Sequence, residues 1–187
     1  MKKINSIDLF AGVGGMRISL TRAARRLGLN DECKLYSEIN DYSRQTYEAN
    51  FTKTKLIKDI KSIKKSDISN KIPNHDILLA GFPCQPFSRA GVSKRKNLNR
   101  AHGFDDKDQG DLFFNILEIL KFKRPKAFIL ENVQHLENYA NGEVLDEILS
   151  SLRKYYYVPD PKILDAQDFG LAQRRRRIYI IGFLDKK

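Results

Sequence analysis

Five short apolar runs, each followed by a polar or glycine-rich stretch and then by apolar residues at helical spacing, constrain this chain more than any other feature. The runs cover residues 4–10, 34–39, 56–57, 76–80 and 127–130, and their lengths suit buried strands. Between them, Met16, Leu20, Ala23 and Leu27 predict a helix that stops at Gly28. Leu112, Phe113, Ile116, Leu117 and Leu120 place a helix over 111–121. Val144, Ile148, Leu149 and Leu152 place another over 143–154, and a shorter one spans about 41–50. Strands alternating with helices predict an α/β fold: a mostly parallel sheet with helices on both faces. Residues 155–164 and 177–184 read as two more strands without a full helix between them, which predicts an antiparallel edge strand. Residues 61–72 read as a polar connection with room for one helical turn, and residues 89–110 as a long loop of the functional kind.

A chain of 187 residues suits one domain with a full core. Its formal net charge of +11 favours a polyanionic partner, because such a charge attracts phosphate backbones. Only Cys33 and Cys84 are present, too few for a disulfide framework or a cysteine metal cluster. No apolar run approaches the roughly 20 residues that span a bilayer. The expectation is a cytoplasmic protein without a membrane partner or a bound metal.

In an open parallel sheet, ligands bind outside the carboxyl ends of the strands. The first run ends in Phe10-Ala11-Gly12-Val13-Gly14-Gly15, where glycines let backbone approach a ligand. Arg17 stands where a dinucleotide fingerprint calls for its third glycine, which disfavours a pyrophosphate cradle. Glu38, at the end of the second run, suits the two hydroxyls of a ribose, and Asp59, after the third, suits an adenine amino group. An adenosine cofactor without phosphates fits this set, and S-adenosyl-L-methionine is the obvious candidate. The fourth run leads into Gly81-Phe82-Pro83-Cys84-Gln85-Pro86-Phe87-Ser88. Two prolines bracket Cys84-Gln85 and stop both helix and strand, leaving a rigid loop with a thiol. By itself this thiol is either a nucleophile or a small buried apolar group.

Taken together, residues 8–15, Glu38, Asp59-Ile60, residues 81–88, residues 110–114, Glu131-Asn132-Val133 and residues 173–177 resemble the C5-cytosine DNA methyltransferases, in order and over nearly the whole chain. The resemblance implies a Rossmann-like S-adenosylmethionine-dependent methyltransferase fold. It implies that Cys84 adds to C6 of cytosine and that Glu131 serves ring N3. Arg177 would contact O2 and hold Glu131, and Arg175 would lie near DNA phosphate. Phe10, Gly12, Gly14, Gly15, Glu38, Ile39, Asp59, Ile60, Pro83 and Leu112 fall on positions around S-adenosyl-L-methionine, the product being S-adenosyl-L-homocysteine. Ile39 is aliphatic where several relatives carry an aromatic. Gln85, Ser88, Arg89, Lys94, Arg95, Lys96, Arg100 and Gln173 are the expected contacts to double-stranded DNA, with the 89–110 loop closing over a base flipped from the stack.

Family members continue through a target-recognition domain and two further motifs, and these are not in residues 1–187. A split enzyme with a second subunit is the favoured explanation, ahead of a truncation or an inactive remnant. A tRNA cytosine methyltransferase and a non-catalytic DNA-binding module are the rival functions. The target sequence and the base that removes the C5 proton are not legible.

Overall fold

The structure, a computed structural model, describes residues 2–83 and 112–185. Its strands are β1 (Lys3–Leu9), β2 (Asn30–Ser37), β3 (Lys55–Ile57), β4 (Ile77–Gly81), β5 (Ala127–Val133), β6 (Lys162–Asp165) and β7 (Arg176–Phe183). Its α-helices are α1 (Gly15–Arg26), α2 (Asp41–Asn50), α3 (Ile68–Lys71), α4 (Leu112–Lys123) and α5 (Glu143–Arg153). The strands form one sheet in the order β3-β2-β1-β4-β5-β7-β6. β1 to β5 pair in parallel, while β7 runs antiparallel to both β5 and β6. The reversed strand is therefore β7, and it lies inside the edge rather than at it; β6 is outermost.

Alternation along the strands separates two faces. On one face Leu78, Ala80, Phe128, Leu130, Ile178 and Ile180 are each at most 2% exposed. They share a buried cluster with Phe113, Ile116 and Leu120 of α4 and with Val144, Ile148 and Leu152 of α5. Phe128 lies directly across from Gly182, and a Cβ there would come within 2.2 Å of the Phe128 ring. On the other face α1 and α2 cover β1 and β2, with Tyr36 stacked on Tyr47 at 4.1 Å. Further along this second face Ile77, Ala127 and Ile129 are half-buried, and Val133, Ile181 and Phe183 are exposed. Helices on both faces are thus found over half of the sheet only, among the described residues.

Three sequence expectations change. β2 starts at Asn30 rather than at 34, because its first residues pair with β1 from Lys3 onward, while β3 pairs only with Leu35–Ser37. Residues 61–72 are not a merely polar connection: Ile63, Ile68 and Ile72, with Ile60 before them, drop into the main core through two 3₁₀ turns and α3. The expected strand over 155–164 shrinks to β6, with only an isolated bridge from Tyr157 to Phe183 before it. Pro159 and Pro161 lack the N–H groups that a ladder needs. No helix among the described residues is long and apolar enough to cross a membrane.

Candidate active site at the carboxyl edge of the sheet

Three hydrogen bonds fix the turn after β1, two of them to the end of β2 and one within the turn. Ala11 N–H donates to the Ser37 carbonyl at 2.9 Å, Gly14 N–H to the Ala11 carbonyl at 2.8 Å, and Gly12 N–H to Glu38 Oε2 at 2.8 Å. The other Glu38 oxygen accepts the Asn40 N–H at 2.7 Å, and Asn40 in turn caps α2 by accepting the Ser43 N–H. A carboxylate has about four acceptor sites, so Glu38 can brace the turn and still receive two hydroxyls.

The glycines of this turn divide into two kinds. Gly12, at φ +54°, and Gly15 face open space on the side where a Cβ would stand. A Cβ on Gly14, at φ +92°, would meet the Phe51 ring at 2.3 Å, so packing requires that glycine. Arg17 explains the departure from the dinucleotide pattern: its guanidinium lies 4.2 Å over the Phe51 ring and donates to Tyr47 Oη and Thr54 Oγ1. It ties α1 to α2 and to the entry of β3. Beneath it, burial pushes the Asp8 carboxyl up to about 8, against the opposing charge of Arg17.

Of the other expected cofactor residues, Ile39 is 64% exposed beside the turn. The side chain of Asp59 accepts the Lys61 N–H. Ile60 puts its side chain into the core, so any ligand contact it makes is through its main chain. Leu112 packs partly against the core at the start of α4, and Pro83 is exposed after β4.

Two strands away, Glu131 and Arg177 form the second group. Arg177 Nε lies 3.0 Å from Glu131 Oε1, each side chain about 21% exposed, so the pair is partly desolvated yet open to a substrate. Arg177 also donates through Nη1 to the Arg176 carbonyl, which fixes the plane of its fork. Arg175 precedes β7, so strand alternation does not set its direction; it is exposed, as is Gln173. Gly81 joins the two groups: a Cβ there would lie 3.4 Å from Glu131 Oε2, 3.7 Å from the Phe10 carbonyl and 3.9 Å from Met16 Sδ. The missing side chain leaves a notch between the glycine turn and the carboxylate.

Cys84, Gln85, Ser88, Arg89, Lys94, Arg95, Lys96 and Arg100 lie outside the described residues. Cys33, the other cysteine, is buried, and burial raises its thiol above the usual range, so it is not a reactive site.

Comparison with known proteins decides the family. The C-5 cytosine-specific DNA methylase family matches residues 4–187. The chain belongs to this family. Among curated relatives, the Type II methyltransferase M.HaeII of Haemophilus aegyptius is 47% identical over 100% of the chain and 52% of the relative. M.NgoBI of Neisseria gonorrhoeae is 47% identical over 96% of the chain and 50% of the relative. The chain thus spans about half the length of the curated relatives it matches. Among solved structures, the Dnmt2 methyltransferase of S. pombe superposes with a TM-score of 0.73 at 24% identity, covering 98% of this chain and 52% of that one. The Entamoeba histolytica methyltransferase EhMeth gives 0.68 at 24%, over 100% and 54%. At that identity both show the fold alone.

Two groups near the candidate site have contacts that the sequence did not show, one of them Asn132 of the Glu131-Asn132-Val133 motif. Asn132 is buried; its Nδ2 donates to the Phe82 carbonyl at 3.0 Å and its Oδ1 accepts the Val133 N–H at 2.8 Å. It holds the root of the Pro83-Cys84 loop. A lone amide in an apolar strand was the available signal. Tyr179 stands opposite Glu131 across β5 and β7; burial, then the Glu131 charge, raises its hydroxyl. Nothing in sequence spacing places those two side by side.

Proposed function

We propose that residues 1–187 are the catalytic domain of a methyltransferase that modifies C5 of a flipped-out cytosine in double-stranded DNA. The observation that carries this reading is the Gly81 notch, which sets the Arg177–Glu131 pair beside the glycine turn. S-adenosyl-L-methionine fits the turn, with Glu38 at the ribose, Asp59 and Ile39 at the adenine, and Phe10, Gly12 and Gly15 lining the approach; when bound it supplies an electrophilic methyl group and leaves as S-adenosyl-L-homocysteine. No metal enters this scheme.

The roles of the residues follow from the chemistry of the ring. The Cys84 thiolate adds to C6, forming an S–C6 bond, and the C5–C6 electrons move towards C5 and N3. Glu131 donates a proton to N3, while Arg177 holds that carboxyl group and places a donor at O2. C5, made nucleophilic by that addition, would take the methyl group that S-adenosyl-L-methionine, held by Glu38, Asp59 and the glycine turn, would supply. A base removes the C5 proton, the S–C6 bond breaks with Cys84 leaving as thiolate, and N3 returns its proton to Glu131. Asn132 keeps the loop root in place throughout. Arg175, Gln173, Gln85, Ser88 and the basic residues Arg89, Lys94, Arg95, Lys96 and Arg100 meet the DNA backbone.

Catalysis in this reading needs the portion of the relatives that this chain does not span, supplied as a second subunit or as a continuation. The half-exposed apolar face at Ile129, Val133, Ile181 and Phe183 supports a docking place for it. A duplex carrying 5-fluorocytosine, mixed with the chain, S-adenosyl-L-methionine and a complementing half, tests both parts. The expected result is a covalent protein–DNA band that survives denaturation and is absent for Cys84→Ser. Methyl transfer by Cys84→Ser removes the nucleophile assignment; full sequence-specific methylation by the 187-residue chain alone removes the need for a complementing half.

A further inference from the structure

We infer that Asp165 is a positioning residue whose carboxylate latches the neck of the loop 166–175, and so sets where Arg175 meets nucleic-acid phosphate. This rests on the DNA-methylating reading above. Asp165 ends β6, is only 8% exposed, and stands opposite Arg176 in the β6–β7 ladder. Its Oδ1 accepts the Arg175 N–H at 2.9 Å and, more weakly, the Gln167 N–H at 3.4 Å. Oδ2 lies 3.8 Å from Arg176 Nε, too far for a hydrogen bond but close enough to offset charge. Beside these, the Ala166 N–H donates across the neck to the Arg175 carbonyl at 3.1 Å. The loop beyond turns on itself: Gly170 N–H donates to the Gln167 carbonyl and Leu171 N–H to the Ala166 carbonyl, with Gly170 at φ +86°.

The loop returns through four consecutive arginines, Arg174 to Arg177, which repel one another. Without a fixed point at Arg175, that repulsion would splay the strand entry. The latch joins the Arg175 main chain to the sheet two residues before Arg177, whose guanidinium is committed to Glu131. Arg175 then leaves the neck with a fixed origin, outside the pair. Because the short contacts are hydrogen bonds to backbone N–H groups, acceptance matters more than charge, and an amide oxygen in the same place can do the work.

The test uses the 187-residue chain and a short DNA duplex, with affinity measured by fluorescence anisotropy across a salt series. Each phosphate contact contributes about 0.9 to the slope of log affinity against log salt. Arg175→Ala should lower the slope by about that amount, Asp165→Ala should lower it equally, and Asp165→Asn should leave it as in the wild type. Amide exchange at Arg175 should quicken by about tenfold in Asp165→Ala and not in Asp165→Asn. Should Asp165→Ala fail to fold by circular dichroism, Asp165→Glu, which moves the acceptor by one methylene, carries the same expectation. A lowered melting temperature with an unchanged slope would make Asp165 structural only and overturn the inference, leaving the DNA reading intact. An unchanged slope in Arg175→Ala removes the phosphate contact itself and overturns the inference, while the DNA reading is decided separately by the 5-fluorocytosine trapping.

Discussion

On one face of the sheet Phe128, Leu130, Ile178 and Ile180 lie beneath α4 and α5; on the other, their strand neighbours Ile129, Ile181 and Phe183 reach solvent. Both faces belong to the same strands and carry similar apolar side chains. The difference lies in what covers them. The covered face is mainly apolar, with Asn132 and Ser37 its buried polar members, and it supplies cohesion. The second face is where polar groups enter the sheet: Ser6, Asp8, Glu131, Tyr179 and Arg177 all point that way. Near β1 those groups are sealed under α1, and Ser6 Oγ donates to Asp31 Oδ1 at 2.8 Å. Near β5 and β7 they stay open. The main core and the candidate site thus occupy opposite sides of one sheet, and among the described residues the side of the candidate site is the less covered.

The largest contrast should appear on truncating core side chains. Phe128→Ala should cost about 3–5 kcal/mol in urea unfolding, as expected for a fully buried ring, whereas Ile129→Ala on the open face should cost roughly 1 kcal/mol. Equal losses would mean that the second face is buried in the isolated chain. Overpacking gives the next effect: Gly182→Ala drives a methyl group into the Phe128 ring and should cost about 1–3 kcal/mol.

Titration separates the two sides further. Burial raises the Asp8 carboxyl to about 8, so the folded chain holds a proton that the unfolded chain releases near pH 4. That contribution is complete below about pH 4 and is lost as pH rises towards about 8, at no more than about 1.4 kcal/mol per pH unit. Asp8→Asn should flatten this slope in urea midpoints taken between about pH 5 and about pH 8. His75, at the opposite edge of the sheet, works the other way. Burial lowers its ring, and Nε2 has no partner among the described residues, so its contribution is present above the unfolded value and lost as pH falls below about 6.5. His75→Leu should remove this smaller acid-side loss; a variant as acid-sensitive as the wild type would sever it from His75. Smallest on the chain itself should be Ile181→Glu, which leaves the unfolding midpoint almost unchanged. The same change should weaken capture of a complementing half by about tenfold or more, measured by calorimetric titration.

Legibility was uneven for a physical reason. Elements whose apolar residues follow one period were visible from end to end: α5 starts at Glu143 and ends within a residue of expectation, and α2 carries its cap at Asn40. The segment 61–72 misled because its isoleucines follow no single period and are placed by the core they enter. β6 was over-extended because Tyr155, Tyr156 and Tyr157 favour strand locally, while Tyr156 instead packs on Phe128. At the site, Glu131 and Arg177 were readable with their roles, and Asn132 and Gly81 only as motif members. Asn132 donates to the Phe82 carbonyl, Asp165 accepts the Arg175 N–H, and Gly81 leaves space between Glu131 and the Phe10 carbonyl, all with partners distant in sequence.

Sequence alone determined the alternation of strands and helices, the family, and the chemical groups at each strand end, because side-chain period and loop residues are local properties. Tertiary structure decided which of those groups meet. β7 inserts between β5 and β6, and only that reversal brings Arg177 to Glu131 and leaves Asp165 at the neck of the arginine loop. It also decided that, among the described residues, one face is covered by α4 and α5 and the other is covered over part of the sheet only, since covering a face depends on where helices pack and not on how any strand is spelled.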